Sequence, residues 1–326
     1  MTAAAHGDER LAARLRALLG PRHGVAAAAV AAPEGVTTAC LGTGLDADFE
    51  IGSISKGITG LLYAEATARG EIGPDTVLGD LLPLGTAPVG RVSLRSLSTH
   101  RSGLPSLPAS AQPLRRTIAL WRRGANPYGE DLGRLLEQAR EAEPGKPRPR
   151  YSNFGFELLG HALAAAADTD YAALLRQRIT VPLGLDCCYA PAAAEDLRPE
   201  ALTGTSRRGR PRQPWTGEAV APAGGIRASI TAMARLTEAL LDGTAPGLGA
   251  LDPVEPFGVG ARIGAAWVTI HVKDRTVTWH NGGTGGFRSW LGLDREAGTG
   301  AVILSATSAP VDRHGLTLLT EGRALR

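Results

Sequence analysis

Ser53 and Lys56 stand three residues apart in the run Phe49-Glu50-Ile51-Gly52-Ser53-Ile54-Ser55-Lys56. A lysine can lose its proton when it is desolvated or set beside another cation; an arginine effectively cannot. The chain has 35 Lys plus Arg, yet only three are lysines, Lys56, Lys146 and Lys273. Residues i and i+3 share a helix face, so Ser53 Oγ and the Lys56 amine can meet as nucleophile and base. The start of the helix adds backbone N–H groups and a dipole that favours negative charge.

Two further segments have the right chemistry. In Tyr151-Ser152-Asn153 a phenol can shuttle a proton, and an amide can bind both a substrate carbonyl and a lysine. The run Trp279-His280-Asn281-Gly282-Gly283-Thr284-Gly285-Gly286-Phe287 is dense in glycine. Such backbone can come close to a ligand and present N–H groups to an oxyanion. Each segment also has a plainer use. Asn153 can cap a helix, a glycine-rich stretch between strands can be a turn, and His280 can be a hydrogen-bonded structural histidine.

The elements that must hold these residues are legible in outline. Leu11, Leu15, Leu18 and Leu19 have helical spacing over 9–19. Strand-like runs follow at Val25–Ala32 and Val36–Leu41, with Pro33-Glu34-Gly35 as the turn between them. A helix is predicted from about Ser53 to Arg69, ended by Gly70-Glu71-Ile72-Gly73-Pro74. Residues 74–150 are rich in Pro and Gly, with short helical pieces such as 131–141. Helices are predicted from about Asn153 to Ala167, from about Asp170 to Ile179 and near 230–242. Strand-like runs then recur at Ala265–Val272, Thr276–His280, Ser289–Asp294 and Ala301–Ala306. Strands at both ends and helices between predict an α/β (α+β) protein with one antiparallel sheet built from both termini and flanked by helices. Residues 1–69 and 191–326 form the sheet domain, and 70–190 an inserted, mainly helical domain.

Composition bounds the function. With 43% hydrophobic and 21% charged residues, the chain is that of a soluble globular protein, and its 326 residues can bury a substantial core. The net charge of +3 is small. The basic run Arg207-Arg208-Gly209-Arg210-Pro211-Arg212 lacks interleaved aromatics and reads as a solvated loop, so no nucleic-acid partner is expected. No apolar stretch is long enough to span a membrane. His6, Asp8 and Glu9 stand where a secretion signal needs a cationic start and an apolar run. Cys40, Cys187 and Cys188 make a poor disulfide framework and suit a reducing compartment. The expected location is the cytoplasm; the pattern sets no oligomeric state.

Taken in order, the segments resemble one family, the penicillin-recognising serine hydrolases. The branch is that of class C β-lactamases, D,D-carboxypeptidases, D-aminopeptidases and related esterases. The resemblance runs from Phe49–Lys56 (the Ser-x-x-Lys motif) through Leu97-Ser98-Thr99-His100-Arg101-Ser102-Gly103-Leu104-Pro105 and Tyr151-Ser152-Asn153-Phe154-Gly155. It continues through Pro182-Leu183-Gly184-Leu185 and Ala221-Pro222-Ala223-Gly224-Gly225-Ile226, and ends at His280-Asn281-Gly282 with the glycines beyond. It covers about residues 45–307, and six segments in order are far more specific than any one.

The resemblance implies a β-lactamase-like fold and an acyl-enzyme on Ser53. Lys56 and Tyr151 would share the proton, and the N–H groups of Ser53 and Gly283 would form the oxyanion hole. Asn153 would orient the acyl group and Lys56, with His280, Gly282 and Gly283 against the substrate. It implies no metal or organic cofactor, and a small-molecule acyl substrate as partner.

One departure matters: the β-lactamases and transpeptidases of the family generally have Lys-Thr-Gly where this chain has His280-Asn281-Gly282. A neutral imidazole binds a carboxylate less well than an ammonium. Arg288 is a candidate replacement cation or a supporting residue. The expected activity is therefore hydrolysis of small esters or amides, of esterase or D-aminopeptidase type. Acyl transfer to a small-molecule acceptor, β-lactamase or D,D-peptidase activity, and a non-catalytic binding module are the alternatives.

Overall fold

The computed structural model describes residues 4–108 and 112–321. In chain order its strands are β1 (Ala5–Gly7), β2 (Ala26–Ala32), β3 (Gly35–Leu41), β4 (Asp48–Glu50), β5 (Cys188–Tyr189), β6 (Arg227–Ser229), β7 (Glu255–Pro256), β8 (Ala261–Ile263), β9 (Val268–Val272), β10 (Arg275–Gly283), β11 (Arg288–Asp294) and β12 (Thr299–Ser305). Nine of them form one antiparallel sheet in the order β1-β3-β2-β12-β11-β10-β9-β8-β7. The seam between the two chain ends is the β2–β12 pair, with Ala28 opposite Ile303.

Alternation along these central strands divides the core. Ala27, Ala29, Val302 and Leu304 face the larger apolar cluster, where the helices Ile54–Ala68, Asn153–Ala166 and Ile230–Asp242 pack. Ala26, Ala28, Val30, Ala301 and Ile303 face the smaller one, against the helices Glu9–Leu19 and Asp312–Glu321. The alanine run of β2 is too short-chained to hold helices away, so both layers press on the sheet. Leu15 of the first helix is fully buried there, and each such leucine contributes about 1.5–3 kcal/mol. That helix starts where Asp8 accepts a hydrogen bond from the Leu11 N–H at 2.7 Å. Replacing the Asp8 cap by alanine costs about 1 kcal/mol.

The helix Ile54–Ala68 is pinned under the sheet's edge by close approach. A Cβ on Gly60 would lie 2.1 Å from the Ala265 carbonyl oxygen, and the Trp267 indole donates to the Gly57 carbonyl at 3.1 Å. The same attachment explains a departure from the pattern. The strand expected over Ala265–Val272 begins only at Val268. Ala265 and Ala266 give their N–H groups to Ala250 and Ser98 instead of a neighbouring strand, and Ala266 takes a left-handed φ of 69°.

Other differences have equally local causes. The helix expected over Asp170–Ile179 is α-helical only over Tyr171–Leu175, then widens to a π turn at Arg176–Thr180. A helix at Pro113–Arg123 is one of the short helical pieces within 74–150 that the sequence does not place. The three-stranded sheet β4-β6-β5 escaped notice because its strands are two or three residues long. No helix among the described residues is long and apolar enough to cross a membrane.

Candidate active site

Ser53 sits at the turn from β4 into the helix Ile54–Ala68. Gly52 makes the turn at φ 53°, a left-handed value that glycine adopts without a steric penalty. A serine here would normally spare a backbone donor by capping. Ser53 does not: it is in the helical region (φ −66°, ψ −5°), and its side chain makes no capping bond. Ser152 does cap, accepting from the Gly155 N–H at 2.8 Å while donating to the Pro105 carbonyl at 2.6 Å. One serine is structural and the other is free to react.

Lys56 is fully buried one turn on, with its amine 3.1 Å from Ser53 Oγ and 2.5 Å from the Ala223 carbonyl. The amine lies 4.8 Å from the centre of the Tyr151 ring. Burial pushes the Lys56 pKa down to about 7, partly opposed by the Glu157 carboxylate. Glu157 is itself buried, and burial drives its pKa up to about 8 against the pull of Lys56. Both groups are thus displaced toward their neutral forms.

Tyr151 precedes the helix Asn153–Ala166 and is held from behind. The His100 ring stacks beside it, 4.5 Å between centroids, and His100 Nδ1 accepts the Ser152 N–H at 3.2 Å. Arg150 donates its N–H to the His100 carbonyl at 2.8 Å. The segment Leu97–Pro105 therefore acts as the brace for Tyr151, and His100 keeps a φ of 55° to do so. Tyr151 is 39% exposed at the mouth of the site, and its hydroxyl hydrogen-bonds Ser53. Crowding around the hydroxyl raises its pKa above the phenol value, and the bond to Ser53 only partly offsets this.

The third segment closes the opposite side. β10 runs through His280, Gly282 and Gly283, so the motif ends a strand, and the turn comes at 284–287. A Cβ on Gly282 would lie 2.0 Å from the Ile51 carbonyl oxygen, and one on Gly52 would lie 2.5 Å from Gly283 N. Only bare backbone lets the strand end come this near the turn at Gly52 and Ser53. His280 is buried, donates from Nδ1 to the Asn281 carbonyl at 2.7 Å, and has its pKa lowered to about 4 by burial and by Lys56. Beside a carbonyl the tautomer is Nδ1–H, which leaves Nε2 as an acceptor.

The remaining expected residues are placed less simply. Asn153 donates to the Tyr128 hydroxyl at 2.7 Å, whereas the hydrogen bonds of Lys56 go to Ser53 and Ala223. Arg288 donates to the carbonyls of Thr284 and Phe287 at 3.0 Å each, bracing the turn. Three residues near the site carried no motif. Tyr128 hydrogen-bonds Asn153, and the Trp215 ring lies tilted against that of Tyr128, 4.7 Å between centroids. Glu157 lies one helical turn beyond Asn153, a lone charge in the apolar run Asn153–Ala166, and that isolation was the available signal.

Comparison with known proteins shows what the whole chain is similar to. A family model described as Beta-lactamase matches residues 11–322. The D-alanyl-D-alanine-carboxypeptidase/endopeptidase AmpH of Escherichia coli K12 is 32% identical over 155 residues, 45% of this chain. That match spans only 38% of the relative's own length. A Beta-lactamase of Pseudomonas fluorescens is 24% identical over 302 residues, covering 80% of each chain. Among solved structures, a class C beta lactamase from Rhodobacter sphaeroides superposes with a TM-score of 0.79 at 21% identity, over 98% of this chain and all of that one. D-alanine carboxypeptidase AmpC from Burkholderia cenocepacia gives 0.78 at 20% identity, over 97% and 98%. At these identities the structural likeness speaks for the fold.

Proposed function

The chain belongs to the beta-lactamase family, whose members are serine hydrolases, and on that premise we propose that it hydrolyses small, uncharged esters or amides through an acyl-enzyme on Ser53. The observation that carries the proposal is the uncapped Ser53 hydroxyl, 3.1 Å from a buried amine with a pKa of about 7. Such an amine is a competent base near neutral pH.

The proposed cycle needs only side chains and water. Neutral Lys56 accepts the Ser53 proton as Oγ bonds to the substrate carbonyl carbon. The resulting oxyanion is held by the N–H groups of Ser53 and Gly283, and losing one donor of such a pair costs about 3 kcal/mol. Tyr151, which holds its proton more tightly than a free phenol, passes it to the departing alkoxide or amine as the tetrahedral intermediate collapses. Lys56 returns the proton it took to Tyr151. Water then adds to the acyl-enzyme by the same route in reverse, releasing the acid and Ser53. An alcohol or amine in place of water would make the reaction acyl transfer.

The choice of an uncharged substrate rests on His280. Its imidazole, with a pKa of about 4, is neutral at pH 7 and offers no positive charge in the place where the family resemblance implies a lysine. The name of the E. coli relative favours a D,D-peptidase as the second reading. Intact-protein mass spectrometry after exposure to p-nitrophenyl esters, D-amino-acid amides and a penicillin decides between them. An acyl adduct on Ser53 from the neutral esters is the expected result. An adduct from the penicillin alone favours the second reading, and no adduct or turnover with any of them favours a non-catalytic binding module.

A further inference from the structure

The helix Pro113–Arg123 is mounted inside out. Polar contacts hold it to the rest of the protein: Arg116 donates to the Pro127 carbonyl at 2.8 Å and to Glu130 at 2.6 Å, and the Leu120 carbonyl accepts from Arg212 at 2.7 Å. Apolar side chains point away from it. Leu114 is 74% exposed, Ile118 42% and Trp121 73%. At helical spacing these three form one stripe, about 10 Å long. Exposed apolar side chains scattered singly are ordinary, but a row on one helix face marks a contact surface. In the helix Glu9–Leu19 the corresponding row, Leu11, Leu15 and Leu19, is buried.

The surroundings of the stripe are cationic. The helix carries Arg115, Arg116, Arg122 and Arg123 and no acidic residue. Of these, only Arg116 forms an ion pair among the described residues. Arg115 bonds the Gln112 side-chain oxygen, and Arg122 and Arg123 stand exposed in the last turn. The basic run 207–212 continues this charge. Gln213 gives its N–H to the Gly124 carbonyl at 2.9 Å, and Arg212 reaches the Leu120 carbonyl. The turn with the exposed Arg207, Arg208 and Arg210 therefore starts beside the end of the helix.

We propose that this face docks on the surface of an anionic lipid bilayer, with Leu114, Ile118 and Trp121 entering between headgroups and the arginines meeting the lipid phosphates. A helix with Leu and Trp on one face and arginines around it suits the bilayer interface. There the carbon stems of arginine lie along the apolar boundary while the guanidinium pairs with phosphate. Docking of this kind needs no spanning helix. A second copy of the chain fits the face poorly: packing it on itself sets Arg against Arg, with no carboxylate on the helix to separate them. A nucleic acid would engage the arginines through its phosphates and leave the apolar stripe unused. Docking needs no turnover, so it stands apart from the hydrolase reading.

The test is cosedimentation of the full chain with vesicles of equimolar phosphatidylcholine and phosphatidylglycerol, against vesicles of phosphatidylcholine alone. Binding to the anionic vesicles should be tighter by about tenfold or more and should weaken as salt is raised. Arg122→Gln combined with Arg123→Gln should weaken it by about twentyfold, since each arginine near such a surface contributes about fivefold. Leu114→Ser, Ile118→Ser and Trp121→Ser together should weaken it by about tenfold or more. The melting temperature of that triple variant should hold, because all three side chains are exposed. Trp121→Phe should keep the binding but lose the blue shift of tryptophan emission that the wild type shows on docking. No binding to the anionic vesicles, equal binding to both compositions, or binding that the triple variant leaves unchanged overturns the assignment. A dimer that the triple variant dissolves, in a chain that ignores vesicles, would give the face to a second copy instead.

Discussion

Lys56 and Arg227 are both withdrawn completely from water, and the chain treats the two cations in opposite ways. Arg227 lies in β6 between two carboxylates, 2.7 Å from Asp48 and 3.2 Å from Glu50. It also donates to the carbonyls of Asp48 and Leu202, at 3.2 and 2.9 Å. Among the described residues Lys56 forms no ion pair; its partners are a hydroxyl and a carbonyl. Arginine cannot shed its proton, so its burial demands counter-charge. Lysine can, so its burial yields a base. On the proposed mechanism, the difference separates the buried cation that fastens the molecule from the one that reacts.

The sharpest way to break this comparison is to make both sites apolar. Lys56→Met should lower kcat/KM on a p-nitrophenyl ester by about 10³-fold or more, since the base is gone. Its melting temperature should hold or rise, because a desolvated amine is replaced by a side chain suited to the site. Arg227→Met should do the reverse to stability, costing about 3–5 kcal/mol by stranding Asp48 and Glu50. Calorimetry on the two variants checks both signs; a large loss of stability in Lys56→Met would mean that Lys56 fastens the fold as Arg227 does. Lys56→Arg should also abolish acylation, and wild-type-like ester rates in it would remove Lys56 as the base.

A milder test leaves both cations alone and moves the strand end. Gly282→Ala puts a methyl group 2.0 Å from the Ile51 carbonyl and 2.3 Å from Ser289 Oγ. Strand and nucleophile turn must then part, and kcat should fall about 10²-fold, as for a lost oxyanion donor. Burst kinetics with the p-nitrophenyl ester would show this as slow acylation. An unchanged burst would mean that Gly283 takes no part in the oxyanion hole.

What the sequence disclosed about these regions follows from how local each signal is. Ser53, Lys56, Tyr151 and His280 lie in short motifs whose chemistry is written in adjacent residues, so they could be found without a fold. The long strands and helices were legible because their apolar residues repeat at periods of 2 or 3.6. Arg227 and its carboxylates were not, because Asp48 and Arg227 are 179 residues apart and their strands are too short to show a period. The surroundings of Tyr151 were hidden for the same reason: His100, Tyr151 and Phe257 meet only in the folded chain. The helix Pro113–Arg123 had a visible pattern, Leu114, Ile118 and Trp121 at helical spacing, but its apolar face is turned out rather than into the core.

The finest test concerns how the unpaired lysine is tuned. If neutral Lys56 is the base, kcat/KM on an uncharged ester rises with pH through a midpoint of about 7. Glu157 is the one nearby carboxylate that favours the charged amine. In Glu157→Gln that opposition is removed while burial remains, so the Lys56 pKa falls and the midpoint moves toward acid; the shift is small, because Glu157, with a pKa of about 8, is mostly protonated near pH 7. The stability profile supplies an independent sign. Glu157 has a folded pKa of about 8, above the usual 4.5, so its contribution is full below pH 4.5 and is lost as pH rises to about 8. Lys56 has a folded pKa below its usual 10.5, so its burial penalty lifts as pH rises from about 7 to 10.5. The buried histidines, His280 among them, titrate alike in both proteins, so relative to Glu157→Gln the wild type should lose stability from pH 4.5 to 7. A variant whose rate midpoint moved toward alkali would show that Glu157 does not hold Lys56 toward its charged form, and the contrast with the doubly paired Arg227 would need another cause.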